Sequence, residues 1–295
     1  MMKVICIQNS TRKPHRKQTR FLKACIDDSE IDFHHYSTEY ANHAKELAEK
    51  AKGNCDILLV IGGDGTLNEV VNGLCVIPGK NPKIFLLPGG TGNDFHRNFT
   101  ASDLSAQSPT NLFSQMGDRV HIACLQTNTE TRYFLNIADV GFGGSVVREL
   151  NELRNKFGSG FSYFIAIIRT FFKYKKPVLT LSYNGIERTQ MFFMLAICNG
   201  PVFGNGLIVS PGTNPRDKQF GLVILGVVSM IDYLRHLPNL WRGKRIKHPE
   251  IKYEITDEVT ICSSLGDVSA ETDGEFISSK NFHVSFHDEM LEFLT

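Results

Sequence analysis

Hydrophobic and polar positions follow two different periods along the chain, and the change falls near residue 120. In the first third, continuous apolar runs typical of buried parallel strands lie at residues 4–8, 56–61 and 83–87. Segments 42–52 and 67–74 carry apolar residues at helical spacing between them. This alternation predicts a doubly wound parallel sheet with helices. Ligands of such sheets bind on the loops at the carboxyl ends of the strands.

Beyond residue 120 the pattern is mostly that of strands with alternating polarity. Asn184-Gly185 is a hairpin signal between two such segments, and helical spacing returns at about 159–173 and 229–241. The segments predicted as strands are 178–183, 189–198, 220–228, 258–263, 268–271 and 282–286. We therefore predict an N-terminal doubly wound α/β domain over residues 1–121 and a β-rich, sandwich-like domain over 122–285. A C-terminal strand at 286–295 is a candidate to return to the first domain.

Composition excludes several classes of protein. The chain has 295 residues, of which 42% are hydrophobic and 21% charged, as in ordinary soluble proteins. A formal net charge of +1 gives no reason to expect a nucleic-acid partner. Seven cysteines are dispersed without a Cys-x-x-Cys pair, which favours reduced thiols and a cytoplasmic location over disulfides or structural zinc. No segment approaches the roughly 18–20 apolar residues that span a bilayer. The sequence leaves the oligomeric state open, a homodimer included.

The strongest candidate site is a glycine-rich loop that follows the predicted strand at 56–61. Gly62, Gly63 and Gly65 lack the Cβ atoms that would keep a phosphate away from backbone N–H groups. The next helix begins there, and its N-terminus favours an anion. Thr66 could cap that helix or bond a phosphate oxygen, whereas Asp64 requires a cation such as Mg²⁺, or water, between itself and phosphate. A tight strand-to-helix turn would explain the same residues without a ligand.

A second glycine-rich loop follows the predicted strand at 83–87 and also ends in an acid. It reads Pro88-Gly89-Gly90-Thr91-Gly92-Asn93-Asp94-Phe95. Two such loops at the carboxyl ends of neighbouring strands are expected to converge on one ligand. Neither contains the Gly-Lys-Ser/Thr of a P-loop, and neither has the Gly-x-Gly-x-x-Gly spacing of a dinucleotide site. The pair therefore favours a phosphate-binding enzyme over a hydride-transfer enzyme.

Five motifs in order along the chain resemble the diacylglycerol kinase catalytic family of lipid kinases, which includes bacterial diacylglycerol kinases and sphingosine kinases. They are GGDGTLNEVVNG (62–73), PGGTGNDFHRN (88–98), FLNIADVGFGG (134–144), NGPVFGNGLIVSP (199–211) and Asp273-Gly274-Glu275. GGDGT is shared with NAD kinases and related sugar kinases. Its combination with GTGNDF and the late Asp-Gly-Glu is much more specific.

The resemblance implies a role for each matching residue, with ATP and Mg²⁺ as cofactors. Asp273 would be the general base that takes the proton of a lipid hydroxyl, with Glu275 supporting it. Asp64 and Asp94 would belong to a magnesium–water network. The nucleotide would be bound by Asn9, Gly62, Gly63, Gly65, Thr66, Gly90, Thr91 and Asn93. Without the resemblance, Asp273-Gly274 is more simply explained as a hairpin turn.

The chain departs from the family pattern at three places. The loop after the first strand usually carries Asn-Pro and glycine; here Asn9 is present but Ser10 follows it. His121 stands where an acidic residue is usual, which would alter the magnesium network. A loop that often reads Asp-Asp-Gly and holds a structural magnesium is replaced by residues 216–221, which leaves Asp217 as a candidate ligand.

The expected function is transfer of the ATP γ-phosphoryl group to a lipid hydroxyl, most simply that of diacylglycerol. Sphingoid-base or phosphatidylglycerol kinases of the same family, an NAD kinase, and a non-catalytic nucleotide- or lipid-binding protein are the alternatives. Two basic clusters could bring the protein to an anionic membrane surface as a peripheral cytoplasmic enzyme, although solvated surface charge would also explain them. They are Arg12, Lys13, Arg16, Lys17 and Arg20, and Trp241, Arg242, Lys244, Arg245 and Lys247.

Overall fold

The computed structural model describes residues 1–99, 104, 107–154 and 159–294, with the side chains of all of these except 154 and 159–164. The chain forms two compact units. The first contains Met1–Ile122 and Asp288–Thr295, and the second contains Ala123–His287. The polypeptide therefore passes between the units twice, and the last residues belong to the first unit.

The first unit is an α/β domain with a parallel sheet. Its strands lie in the order β2-β1-β3-β4, and the final residues of the last strand of the chain, Phe293 and Leu294, pair in parallel beside β4. Its elements are β1 (Met2–Gln8), α1 (Arg16–Asp27), β2 (Ile31–Ser37), α2 (His43–Ala51), β3 (Ile57–Gly62), α3 (Asp64–Val76), β4 (Lys83–Pro88), a 3₁₀ helix (Phe95–Asn98), α4 (Pro109–Phe113) and β5 (Asp118–Gln126). All six residues of β3 are buried, as expected for the central strand of a doubly wound sheet.

The second unit is rich in antiparallel strands. It contains the end of β5 and then β6 (Thr131–Phe134), β7 (Ile137–Gly141), α5 (Phe142–Arg154), α6 (Ser159–Lys173), β8 (Val178–Tyr183), β9 (Ile186–Met191), β10 (Met194–Cys198), β11 (Val202–Phe203), β12 (Leu207–Ile208), β13 (Phe220–Leu225), α7 (Met230–Trp241), β14 (Ile251–Thr256), β15 (Val259–Ser263), β16 (Val268–Thr272), β17 (Glu275–Ser279) and the first part of β18 (Asn281–Leu294). Six strands form one sheet in the order β14-β13-β10-β7-β16-β17. A second layer contains β18, β15, β8 and β9, joined in that order.

Two apolar clusters lie on opposite faces of the six-stranded sheet. The first includes Val140, Leu222 and Ile261 and fills the space between the two layers of strands. The second includes Phe142 of α5 and Ala166 of α6, so helices cover the other face of the sheet. Alternate residues of each inner strand therefore point into different clusters, which explains why these strands read as continuous apolar runs.

The predicted fold class is confirmed, an N-terminal α/β domain followed by a C-terminal β-sandwich domain. The hairpin at Asn184-Gly185 is also confirmed, since both residues have positive φ and β8 pairs with β9 across them. The prediction of one strand over 189–198 is wrong. β9 ends at Met191, and β10 begins at Met194 in the other sheet. Between them Phe192 is buried in the cluster between the two layers of strands, and Phe193 is buried in the cluster on the helix-covered face.

Several elements were not predicted or begin elsewhere. Helices α1 and α5 and strand β2 were missed. Helix α3 begins at Asp64, three residues before the predicted start, because the glycine-rich loop itself forms the first turn. None of the described helices is long and apolar enough to cross a bilayer.

Candidate active site

In the first unit the two glycine-rich loops lie against each other. The N–H of Gly89 donates to the carbonyl of Gly62 at 2.8 Å, which extends the pairing of β3 and β4 into the loops. A Cβ atom at Gly63 would lie 2.9 Å from the Cα of Gly90, closer than such atoms approach in proteins. The two loops can therefore touch only because both positions are glycine.

The carboxylates of Asp64 and Asp94 flank one point beside the second loop. A Cβ atom at Gly92 would lie 3.1 Å from Oδ2 of Asp64 and 3.6 Å from Oδ2 of Asp94. The other oxygen of Asp64 accepts the N–H of Phe95 at 3.2 Å, and Oδ1 of Asp94 lies 3.6 Å from Nε of Arg97. Among the described residues no group of three or more His, Cys, Asp or Glu side chains could hold a metal ion. Two carboxylates do suit Mg²⁺, which commonly takes one or two from the protein and the rest of its ligands from phosphates and water.

Thr66 connects the first loop to the loop after β1. Its hydroxyl accepts a hydrogen bond from Nδ2 of Asn9 at 2.9 Å, and it is packed under Gly62. Oδ1 of Asn9 accepts from the N–H of Thr11 at 3.0 Å and from its hydroxyl at 2.7 Å. Asn9 therefore orders its own loop and orients Thr66, even though Ser10 replaces the usual proline.

Of the other residues predicted to bind the nucleotide, Asn93 stabilises the second loop, whereas Thr91 and Gly65 lie at an open surface. Asn93 has a φ of 48°, and its side-chain amide both accepts the N–H of Gly90 and donates to its carbonyl, each at 2.9 Å. It therefore holds the second loop closed. Thr91 is exposed, and a Cβ atom at Gly65 would meet nothing within 4 Å, so this side of α3 is open.

In the second unit, Asp273 occupies a tight turn between β16 and β17. Asp273 and Gly274 have φ values of 48° and 91°, as a two-residue hairpin turn requires. The carboxylate accepts three backbone N–H groups: Oδ2 from Leu135 at 2.7 Å, and Oδ1 from Asn136 and Ile137, both at 3.0 Å. Glu275 is exposed and begins β17. The hairpin suggested by the sequence and a fixed carboxylate are therefore present together.

The second unit also contains a largely apolar cavity of about 100 Å³. Ile137 of β7 is part of its wall, and so are the first turn of α5 and one side of α7. The polar side chains in the wall are Asp139, Asp232, Tyr233, His236, His248 and Tyr253. This cavity was not predicted, because its walls come from segments far apart in the sequence.

Two other predicted positions lie elsewhere. Asp217 is exposed in the loop before β13 and lines a separate cavity of the second unit together with Arg245 and Glu254. His121 lies within β5 in the first unit. With no group of three metal-binding side chains in the described part of the chain, a metal at Asp217 would depend on backbone carbonyls and water.

Two buried acids were missed by the sequence analysis. Asp139 lies within the FLNIADVGFGG motif and Glu271 lies two residues before Asp273. Burial raises the pKa of Asp139 to about 8. Burial, followed by the charge of Asp139, raises the pKa of Glu271 well above its usual value. For Asp139 the available signal was an acid inside an otherwise apolar strand, since charged side chains are rarely fully buried.

Comparison with known proteins agrees with this fold and these motifs. Residues 2–125 match the family model described as diacylglycerol kinase catalytic domain. Residues 136–295 match the model described as YegS C-terminal NAD kinase beta sandwich-like domain. A diacylglycerol kinase of Staphylococcus carnosus (strain TM300) is 31% identical over 250 residues, which cover 82% of this chain and 77% of that protein. One of Staphylococcus aureus (strain bovine RF122 / ET3-1) is 32% identical over 248 residues, 82% of this chain and 75% of that protein.

Solved structures show the same fold at lower sequence identity. The crystal structure of a diacylglycerol kinase from Bacillus anthracis str. Sterne superposes with a TM-score of 0.68 at 17% identity, covering 99% of this chain and 96% of that one. An NAD kinase from Archaeoglobus fulgidus, solved in complex with ATP, gives a TM-score of 0.57 at 12% identity. The superposition covers 100% of this chain and 94% of that one.

The family models and the Staphylococcus relatives define the class: a kinase with an α/β catalytic domain and a β-sandwich domain. The chain belongs to the diacylglycerol kinase family, a family of ATP-dependent lipid kinases. The resemblance carried by the five motifs is thereby confirmed.

Proposed function

We propose that this chain transfers the γ-phosphoryl group of ATP to the free hydroxyl of diacylglycerol, forming phosphatidic acid. In this proposal the α/β domain binds the nucleotide and the β-rich domain binds the lipid. The names of the relatives support diacylglycerol over the other lipids of the family. The further support comes from the arrangement around a single residue of β7.

That residue is Ile137, which both binds the candidate base Asp273 and forms part of the candidate lipid-binding cavity. Its N–H donates to Oδ1 of Asp273 at 3.0 Å, and the residue also forms part of the apolar cavity wall. The candidate base is therefore hydrogen-bonded to the strand that forms part of the candidate lipid-binding surface. An apolar pocket with a fixed polar group beside it is the usual form of a small-molecule site.

The hydrogen bonds of Asp273 suit the role of general base. A carboxylate has about four lone-pair sites. Oδ1 accepts two N–H groups and Oδ2 accepts one, from Leu135. In this proposal Oδ2 is the atom that takes the proton of the lipid hydroxyl. As that proton moves to Oδ2, the hydroxyl oxygen bonds to the γ-phosphorus and the bond to the leaving ADP oxygen breaks. A positioned base contributes roughly 10²–10⁴ to the rate.

In the α/β domain, the residues of both loops suit the triphosphate. The N–H groups at Gly62, Gly63 and Gly65 and the N-terminus of α3 would bind phosphate oxygens. Mg²⁺, held through water by Asp64 and Asp94, would supply neutralisation of the phosphate charge. The hydroxyl proton of Thr66 is directed away from Asn9, since the hydroxyl oxygen accepts from Asn9, and so it is available to a phosphate oxygen.

In this proposal the acyl chain enters the cavity beside helix α7. Helix α7 forms one wall and contains no fully buried residue, so it is the element that can move at least cost. On α7 the side chains of Ile231 and Trp241 are 77% and 59% exposed. The basic residues Arg242, Lys244 and Lys247 follow directly and are exposed. We infer that α7 and this basic segment dock on an anionic membrane surface.

The test is transfer of labelled γ-phosphate from ATP–Mg²⁺ to lipids in mixed micelles. The acceptors are diacylglycerol, sphingosine, ceramide and phosphatidylglycerol, with NAD in a separate reaction. We expect labelled phosphatidic acid from diacylglycerol and at least tenfold less product from every other acceptor. Phosphorylation of a different acceptor would show that this acceptor, and not diacylglycerol, is the substrate. ATP binding without any product would contradict the proposed activity.

A further inference from the structure

Two acids occupy directly opposite positions on neighbouring strands of the second unit. In the antiparallel pairing of β7 with β16, Asp139 lies opposite Glu271, and Val140 lies opposite Ala270. Val140 and Ala270 face the cluster between the two layers of strands, so the two acids face the helix-covered side. Cβ atoms of directly opposite residues are about 4.5–5.5 Å apart, within reach of a contact between carboxyl groups.

Neither acid has access to solvent that could stabilise two negative charges. Asp139 is 3% exposed and Glu271 is 0% exposed. Oδ1 of Asp139 accepts the N–H of Gly143 in the first turn of α5 at 3.2 Å. Oε2 of Glu271 accepts the N–H of Gly274 at 2.6 Å. Within the described residues, Oε1 of Glu271 is buried without a hydrogen-bond partner.

No cation is among the described groups that act on the pair, although His236 and His248 line the same cavity as Asp139. The titratable groups that act on the pair are the thiol of Cys198 from β10, the phenol of Tyr174, which follows α6, and the acids Asp273 and Glu275 of the β16–β17 hairpin. Two adjacent carboxyl groups in such a site cannot both ionise at low cost. A single proton between them removes one charge and gives the buried Oε1 a hydrogen bond.

We propose that Asp139 and Glu271 share one proton, and that Glu271 thereby positions the turn that carries Asp273. The link is the hydrogen bond from the N–H of Gly274, the residue after Asp273, to Oε2 of Glu271. Asp139 also lines the apolar cavity, so the pair connects the cavity wall to the turn. The positioning role rests on the function proposed for Asp273, whereas the shared proton does not.

The shared proton has a definite effect on stability. Burial raises the pKa of Asp139 to about 8 and raises that of Glu271 as well. Between the ordinary pKa of a carboxyl group and about 8, the folded chain retains at least one proton that the unfolded chain has lost. Stability from this source is complete below the ordinary pKa and decreases as pH rises through the folded value. The folding equilibrium constant then loses at least about tenfold per pH unit in that range.

Glu271→Gln tests whether the carboxyl group shares a proton with Asp139 or acts only through its hydrogen bond to Gly274. The amide oxygen can still accept the N–H of Gly274 and the amide nitrogen can donate to Asp139, but the group cannot titrate. Glu187→Gln, on an exposed position of β9, is the matched control. The measurement is urea unfolding at pH values from 5 to 9. Because burial alone raises the pKa of Asp139, the variant that removes both titrating groups combines Asp139→Asn with Glu271→Gln. We expect it to gain stability relative to wild type as pH rises, by at least about tenfold in the folding constant per unit. A difference that does not change with pH would overturn the shared proton.

The positioning role is tested by kinase assay of the same folded variants and of Glu271→Leu, which has no group to bind Gly274. We expect Glu271→Leu to lose at least tenfold in kcat with unchanged ATP affinity, and Glu271→Gln to restore most of kcat. We also expect wild-type kcat to decline above about pH 8, where the pair loses its proton, and the variant with both Asp139→Asn and Glu271→Gln to lack that decline. Wild-type kcat in Glu271→Leu would overturn the positioning role. If Glu271→Leu does not fold, a decline above about pH 8 that persists in the double variant overturns it instead. An inactive wild type would count against the proposed kinase function and leave the unfolding result standing.

Discussion

Asp273 and Ile137 are joined by two reciprocal hydrogen bonds. The N–H of Ile137 donates to Oδ1 of Asp273 at 3.0 Å, and the N–H of Asp273 donates to the carbonyl of Ile137 at 3.0 Å. The turn that carries the candidate base is therefore fixed to a residue of the cavity wall through backbone atoms. A change in the side chain of Ile137 should alter the cavity without disturbing the base.

Ile137→Val should raise the KM for the lipid and leave kcat unchanged. Loss of one buried methylene group is worth about 0.8 kcal/mol, which corresponds to about a fourfold change in KM. Ile261→Val is the matched control, because Ile261 is equally buried but lies in the cluster between the two layers of strands. Both variants should lose about 0.5–1.5 kcal/mol of stability by urea unfolding. An equal effect of both on KM would show that the cavity does not bind the lipid.

Gly65→Ala should strengthen folding and weaken ATP binding. The added methyl group meets no atom within 4 Å, and alanine is favoured over glycine in a helix by roughly 0.5–1 kcal/mol. If a phosphate lies on this side of α3, the methyl group keeps it from the backbone. Loss of one hydrogen bond to a charged group costs about 1.5–3 kcal/mol, or about ten- to a hundredfold in Kd. Calorimetric titration with ATP–Mg²⁺ gives the result, and unchanged Kd would contradict a phosphate at this loop.

Gly90→Ala provides the contrasting case. A Cβ atom there would lie 2.6 Å from the Cα of Gly63, so the two loops must separate. Forcing atoms into such a contact costs about 1–3 kcal/mol of folding free energy. We therefore expect a lower urea midpoint together with weaker ATP binding. A variant with wild-type stability would show that the loops are not held in contact.

Lys244→Gln combined with Lys247→Gln should weaken binding to vesicles that contain an anionic lipid. Each cation near such a surface contributes about 1 kcal/mol, so the pair is worth about thirtyfold in the partition coefficient. Lys13→Gln combined with Lys17→Gln removes the same charge from the basic cluster around α1 and is the control. Sedimentation with vesicles at low salt compares the two. Equal losses would assign the attraction to overall charge instead of to the segment after α7.

The sequence predicted those elements whose own residues form a recognisable pattern. The continuous apolar run of β3 and the Asn184-Gly185 hairpin are such cases, and the structure confirms both. Strand β2 was missed because only its first residue is fully buried, which leaves a polar-looking segment. Helix α5 was missed because glycines 143 and 144 near its start obscure the helical spacing.

Of the candidate site, the sequence predicted those residues that lie in loops directly after strands. The glycines of both loops, Asp64 and Asp94 were all found in this way. Glu271 and Asp139 could not be paired from the sequence, because 132 residues separate them and only the register of β7 with β16 brings them together. The assignments of Asp217 and of the catalytic residues remain predictions that mutagenesis must test.

Asp273→Asn tests whether Asp273 removes the proton of the lipid hydroxyl. The amide oxygen can still accept the N–H groups of Asn136 and Ile137, whereas an amide nitrogen at the place of Oδ2 can neither accept from Leu135 nor take a proton. The measurement is kcat for phosphorylation of diacylglycerol, with ATP affinity and urea midpoint determined on the same samples. We expect a loss of about 10²–10⁴ in kcat with unchanged ATP affinity. A kcat within threefold of wild type would contradict it.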